Sequence, residues 1–434
     1  MEADNLHRLT KVLADSGESP TLEAAVNTFA SYGVRIVLGS RAARCIVDQV
    51  IALTAINTAA RSFLGNVEVV APVDLRLTAP GFEGQTLMEF LDWAGVKKDL
   101  PAASSSWPTI EVGEPAQTGT RGIRVWADGW TYGIGAHDGG QMAFFAPACV
   151  AAGGLAVSEA FSVLRRDNAY AGRRTLNLSL WKPQLQSYVV GAQGPTDVVL
   201  PPVWLVGLGH LGQAYAWTMG FMKAAASADV FLQDIDVVTQ STLSTSVLSG
   251  ECDLGRQKTR VVAAWLEARG FQTRLVERRF DGGQRVAPSE PQRALFGVDN
   301  AAARRVLENA GFAHVVDAGL GSGFRDFRAM RIRTFPGPST AALLWASQPP
   351  ANGAEHAAAY RHLLASGADP CGVTTLATRS VGAPFVGSVA AGHAIAALLR
   401  HALCESAYPV VDFNLRDPQR AEIVTKQLAV APLN

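Results

Sequence analysis

Only five of the 434 residues are cysteine (Cys45, Cys149, Cys252, Cys371 and Cys404), and no two of them form a Cys-x-x-Cys pair. That absence argues against a zinc cage and against a disulfide framework, and leaves each thiol to act alone. The chain also lacks net charge: 38 basic residues balance 38 acidic ones, so no global field draws it to nucleic acid or to an anionic membrane. Its apolar stretches are broken by glycine or charge before the roughly 18 residues of a membrane span, so no membrane helix is expected. The opening MEADNLHRLTKVLADSG carries acids and no apolar run, which is unlike a secretory leader. A cytoplasmic protein whose binding comes from local sites is the expectation.

What is present is a large apolar fraction, 48% of residues against 18% charged, in a chain long enough for two or three domains. From Val34 the sequence VRIVLGSRAARCIVDQVIALTAINTAARSFLGNVEVV reads as strand, turn, helix, strand, and from Val203 VWLVGLGHLGQAYAWTMGFMKAAASADVFLQDID repeats that order. CVAAGGLAVSEAF from Cys149 likewise resembles SVAAGHAIAALLR from Ser388. The spacing points to an internal duplication with extra residues in the second copy, and the alternating elements predict an α/β fold with mostly parallel sheets. The Gly/Pro-rich GAQGPTDVVLPP marks the boundary between halves, taken as 1–195 and 196–434.

The second copy holds LVGLGHLGQ, in which Gly207, Gly209 and Gly212 suit a tight turn, close phosphate approach and close helix packing. The first copy has Ser40 and Ala43 where Gly209 and Gly212 would fall, and reads as a nucleotide fold without its nucleotide turn. Asp234, 22 residues after Gly212, ends an apolar strand where a ribose-binding carboxylate belongs. To this point a nicotinamide-dependent oxidoreductase fits equally well. Asp236, a Gly255-containing turn before Lys258, and the pair Asp299 and Asn300 between a short strand and a helix add a lysine and carboxylates, which suit a triphosphate with Mg²⁺.

In that order and spacing these residues resemble the ThiF/MoeB and ubiquitin-activating enzyme family: the glycine turn Gly207–Gly212, Asp-x-Asp at Asp234 and Asp236, Gly-x-x-Lys at Gly255 and Lys258, and Asp-Asn at Asp299 and Asn300. SVGAPFVGSVAA, from Ser380, resembles the family's Pro-Phe segment. The resemblance implies two Rossmann-like adenylation halves forming a pseudo-dimer within one chain, the first inactive and the second binding ATP and Mg²⁺. It assigns the ribose to Asp234, the phosphates to Lys258 and the metal to Asp299. It implies adenylation of the C-terminal carboxylate of a ubiquitin-like or sulfur-carrier protein, with a conjugating enzyme as a further partner and a homodimer as an option. It also implies acyl transfer to a cysteine, for which Cys371, in a small and polar loop spanning about 366–383, stands in the right place, with Thr374 and Thr375 as hydroxyl alternatives. The other cysteines read as structural, Cys149 and Cys404 as core residues.

One departure stands out. Where the family carries an arginine that stabilises the triphosphate, this chain reads TLSTS, with Thr245 at that position. Arg256, Arg41 or Arg44 are the replacements the sequence offers; without one, a non-catalytic protein that binds a ubiquitin-like partner is the alternative. His210, inside the turn, reads as touching phosphate or facing solvent.

Overall fold

The computed structural model describes residues 6–71, 75–113, 122–137, 142–184, 193–224, 229–346, 357–367, 369–405 and 407–425. The first sheet holds β1 (Val34–Leu38), β2 (Val67–Val70), β3 (Thr109–Val112), β4 (Ile123–Asp128), β5 (Thr131–Ile134) and β6 (Leu176–Ser179) in the order β2-β1-β3-β4-β5-β6. Its first four members are parallel, and β5 and β6 run antiparallel to their neighbours. A two-stranded parallel sheet of β7 (Val199–Leu200) and β9 (Lys223–Ala224) flanks the second sheet's first strand, β8 (Val203–Val206).

The second sheet continues with β10 (Asp229–Gln233), β11 (Gln272–Val276), β12 (Arg293–Phe296), β13 (His314–Leu320), β14 (Ala329–Phe335), β15 (Val410–Asn414) and β16 (Asp417–Val424). Its order is β11-β10-β8-β12-β13-β14-β15-β16. With β11 and β16 removed from the edges, β10-β8-β12-β13-β14-β15 repeats β2-β1-β3-β4-β5-β6 strand for strand, including the change to antiparallel pairing after the fourth member. The fold is α/β with largely parallel sheets, as the alternating pattern leads one to expect. VWLV of β8 is buried at every position because helices cover both faces, whereas VRIVL of β1 alternates between buried and half-buried.

The two halves meet along two long helices, Ala146–Arg165 and Pro384–Ala402, which hold the matching sequences at Cys149 and Ser388. Both carry proline in the first turn, where a missing N–H costs nothing. Small residues let them touch backbone to backbone: a Cβ on Gly154 would lie 2.6 Å from the Phe385 carbonyl oxygen, and one on Gly392 would lie 2.5 Å from that of Pro147. These helices correct the expectation about apolar length, since at 20 and 19 residues, with mean hydropathy of 1.5 and 1.2, both are long and apolar enough to cross a membrane. Here 89% of each apolar stretch is buried inside the protein, because a helix between two sheets has no solvent face.

A second contact between halves is aromatic. Phe82, Phe90 and Trp93 from the first half pack on Trp217, Phe221 and Trp265, with Trp93 stacked on Trp217 at 5.9 Å and on Trp265 at 5.8 Å. Trp217 Nε1 donates to Thr54 Oγ1 at 3.0 Å, which satisfies the indole inside this apolar seam.

Candidate functional site

A cleft of about 950 Å³ opens over the carboxyl ends of the parallel strands in the second half, the usual ligand position in such sheets. Gly207, Gly209, Asp234, Asp236, Lys258, Asp299 and Asn300 all line it. Gly212 sits one turn behind in the helix His210–Met219.

The turn after β8 is built for close approach. Gly207 has φ +85°, a left-handed value that favours glycine, and a Cβ there would strike Val298 at 2.8 Å. A Cβ on Gly212 would sit 2.0 Å from the Gly207 carbonyl oxygen, so only glycine lets helix and turn pack. Gly209 caps the helix, and nothing lies within 4 Å of where its Cβ would be, which leaves an open space in front of the first helical N–H groups. That geometry suits a phosphate.

Asp234 is already at work within the protein. Its Oδ2 accepts from Leu208 N at 2.6 Å and its Oδ1 from Asp236 N at 2.8 Å, so one carboxylate braces the glycine turn and the Asp-x-Asp turn together. Asp236 Oδ2 in turn holds Lys258 Nζ at 2.9 Å, and Lys258 N donates to Asp236 O at 3.0 Å. Lys258 opens the helix Lys258–Glu267, as its place after the Gly255 turn suggests. Asp299 is exposed at the far wall beyond β12, and Asn300 caps the helix Ala301–Arg305 by accepting from Ala302 N. Three carboxylates face six cations around this cleft: Asp234, Asp236 and Asp299 against Arg8, Lys258, Arg278, Arg279, Arg304 and Arg379. Arg304 is tied to Asp317 at 3.0 Å, and burial raises that carboxyl above its ordinary range despite the guanidinium.

None of the arginines that the sequence offers in place of Thr245 reaches the cleft. Arg256 pairs with Asp253, and Arg41 forms a bidentate pair with Asp48 at 2.7 and 3.1 Å; neither lines the cleft, nor does Arg44. Arg8, from the first half, does. Its Nη1 donates to the Ser380 carbonyl oxygen at 3.0 Å and to Ser380 Oγ at 3.2 Å. The TLSTS segment forms a wall of nearly buried hydroxyls beside it, with Thr245 8% exposed and Ser246 1%.

Three readings of individual residues change. The cysteine-bearing segment is not a loop: Pro370–Thr378 is a helix, capped by Asp369 accepting from Gly372 N at 2.7 Å, with Pro370 at its first position. Asp-Pro was the missed signal, since an N-cap aspartate followed by proline starts helices. Cys371 lies in the first turn of that helix and its side chain is outside the described residues; Thr378, at the other end, lines the cleft about 10 Å further along the helix axis. Thr374 is exposed and bonds back to the Pro370 carbonyl oxygen, and Thr375 is also exposed. Second, of the two readings of His210 the solvent-facing one is corrected: the residue lines the cleft, but its Nε2 is buried over Gly387, and burial pushes the imidazole down to about 4. Third, Cys404 is exposed, because the helix ends at Ala402 and Cys404 turns left-handed at φ +58° beyond it. Cys149 is buried as expected. Among the described residues no group of three or more His, Cys, Asp or Glu side chains is arranged to hold a metal by itself.

Comparison with known proteins places the chain. The family model described as the BilD N-terminal domain matches residues 33–180, and that of the BilD C-terminal domain matches residues 200–405. A protein of Collimonas sp. (strain OK412) named Bacterial E1-like protein BilD is 39% identical over 414 residues, covering 92% of this chain and 89% of that one. The chain belongs to the bacterial E1-like BilD family. Similar solved structures include E. coli MccB, at 10% identity over 72% of this chain and 93% of that one with a TM-score of 0.34, and its complex titled MccB + ATP, at 12% identity over 72% and 96% with the same score. TcdA (CsdL) scores 0.32 at 14% identity over 47% and 86%. These likenesses are too distant to carry an argument about chemistry; for a BilD family member that argument rests on the cleft itself.

Proposed function

We propose that the chain activates the C-terminal carboxylate of a ubiquitin-like protein with ATP and Mg²⁺, in the cleft of its second half, and passes the acyl group to Cys371. The observation that carries this reading is the cleft: a glycine turn at a helix N-terminus, with an excess of cations around it and two exposed carboxylates, Asp236 paired with Lys258 and Asp299 without a partner among the described residues. The residues present fit the nucleotide and the ion. The open space at Gly209 accepts phosphate, Asp299 is exposed toward the same space, and Mg²⁺ is commonly held by one or two carboxylates plus phosphate oxygens. The metal supplies charge neutralisation on the phosphates.

A carboxylate oxygen of the partner attacks the α-phosphorus of ATP, pyrophosphate leaves, and an acyl-adenylate forms. Lys258, released from Asp236, and Arg8 offset the charge that builds on the leaving pyrophosphate. Arg8 stands in for the arginine absent at Thr245, so the first half contributes to a site in the second. The Cys371 thiolate then attacks the acyl carbon, AMP leaves, and the thiol proton passes to solvent. The TLSTS wall is the feature that favours a non-activating binding protein instead, and Arg8 is what weighs against it.

Pyrophosphate exchange with candidate ubiquitin-like proteins tests the reading. Exchange that depends on the partner and is abolished in Asp299→Ala supports it; a true partner that binds without exchange sinks it. The second step predicts a reducible adduct with the partner that disappears in Cys371→Ser, and an adduct that persists removes Cys371 from the chemistry.

A further inference from the structure

The strand order of the second sheet lays out the cleft in one dimension. The chain leaves β8 into the glycine turn, leaves β10 into Asp234, and leaves β11 into Arg278, Arg279 and Phe280, all of which line the cleft. Neighbouring strands lie about 4.8 Å apart, so the loop after β11 sits roughly 10 Å from the phosphate turn, with the ribose carboxylate between them. That distance and order match phosphate, ribose and base of a nucleotide laid across the strand ends. The residues after β11 therefore face the base.

What this loop offers is unusual for a base pocket. Arg278 and Arg279 are both exposed, and neither guanidinium has a protein partner among the described residues. The other arginines of this edge are engaged: Arg260 with Glu277 at 2.9 Å, Arg274 with Asp229 at 3.2 Å, and Arg285 with the Gly282 and Gln284 carbonyl oxygens. The loop backbone is held firmly. Gln233 and Gln284, buried at the end of β10 and beneath the loop, exchange amide hydrogen bonds of 2.8 and 3.1 Å, and Gln233 Nε2 also reaches the Arg278 carbonyl oxygen at 3.3 Å. Phe280 is buried edge-on against Phe296 at 5.0 Å. On the β10 side of the cleft, Ile235 is 49% exposed and gives an apolar surface. Two guanidiniums without a partner among the described residues, on a pinned loop that lines the same cleft as the exposed Ile235, have the makings of a stacking clamp; a guanidinium has a plane to lay flat on an aromatic ring and an ammonium has none.

We infer that Arg278 and Arg279 clamp the nucleobase of the bound nucleotide by stacking on it, with Ile235 as the opposing surface. This rests on the nucleotide-binding reading of the cleft and extends it to residues outside the family-like motifs. The clamp supplies affinity rather than base identity, because every base has a flat face.

The experiment compares equilibrium binding of adenosine, which has no phosphate, with that of ATP, on the full chain and on the Arg278→Lys/Arg279→Lys variant and its two single components. Lysine keeps the charge and loses the plane. The expected result is a loss of roughly 5- to 30-fold for adenosine and for ATP alike, insensitive to salt, with at least one single variant showing most of it. Adenosine affinity unchanged in the double variant overturns the inference. So does a loss confined to ATP and weakened by salt, which would place the arginines on the phosphates. Unchanged thermal melting of a single variant separates the effect from misfolding. Binding without pyrophosphate exchange in the unmodified chain would defeat the activation reading and leave the clamp standing or falling on its own affinities; an unmodified chain that binds neither ligand defeats both.

Discussion

The two halves carry the same strand order, yet the turn after β8 and the turn after β1 have opposite fates. After β8, glycine at 207 and 212 lets the chain fold back on itself with an open space at Gly209. After β1 the chain enters a short 3-10 helix, Ser40–Ala43, and Gly39 keeps an ordinary φ of −74°. Arg41 then closes onto Asp48, which is fully buried in the first turn of the helix Ile46–Ser62. An ion pair occupies the helix start where, in the second half, a phosphate would be received. One topology thus carries an open glycine turn in one half and an ion-paired helix start in the other, and the difference lies in a few residues at a single turn. The first half also reaches across: Arg8 comes from it and lines the cleft of the second.

The largest test of this contrast is Gly212→Val. With a Cβ 2.0 Å from the Gly207 oxygen the turn must open, and nucleotide affinity measured by calorimetry is expected to fall at least about 1000-fold. Arg8→Gln comes next: pyrophosphate exchange is expected to fall roughly 100-fold with the fold intact by circular dichroism, whereas the same change at Arg44 leaves exchange as it was. If the two behave alike, the first half is not a donor. Arg41→Ala strands the buried Asp48 charge and is expected to cost about 2 kcal/mol in urea unfolding, the figure reduced because Arg41 is 37% exposed, with nucleotide affinity of the folded protein unchanged.

Acid acts on both halves together. Burial holds His7 in the first half and His210 in the second near 4, and His314 and His393 near 3, below the usual 6.5. The unfolded chain therefore binds protons that the folded chain refuses, so stability is full above about 6.5 and declines as pH falls toward 4 and 3. Unfolding midpoints between pH 7 and pH 4 should fall steadily, and His210→Asn should flatten part of that slope; a pH-independent midpoint contradicts the burial. The smallest effect is expected for Ala43→Gly, the first-half counterpart of Gly212. It restores a glycine without restoring the turn, so it should shift stability by no more than about 1 kcal/mol and create no second nucleotide site in a binding stoichiometry.

Much of the second half is legible in its residues because the signals are local. A glycine turn between an apolar strand and a helix, an acidic residue at the next strand's end, and a lysine opening a helix each act within a few residues of themselves, and the cleft brings them together. Features whose signal is compositional or distant are not legible in the same way. The helices Ala146–Arg165 and Pro384–Ala402 do not stand out as long apolar segments because glycine, serine and histidine dilute them; burial between two sheets, rather than amphipathic periodicity, keeps them helical. The small polar composition around Cys371 suggests a loop, whereas Asp369-Pro370 starts the helix Pro370–Thr378. Arg8 gave no sign at all, since the residue it touches, Ser380, is 372 positions away.

The sequence by itself determined the order of the elements, the duplication and which of the two turns is a tight glycine turn at a helix start, since backbone sterics at glycine and helix-start chemistry depend on neighbours in the chain. Only the tertiary structure decided that Arg8 lines the cleft, that Asp236 holds Lys258, and that Arg278 and Arg279 line the same cleft with no partner among the described residues. Those facts arise from two sheets packing through a seam of small residues and from strands lying side by side about 4.8 Å apart, and neither relation is written in any single stretch of sequence.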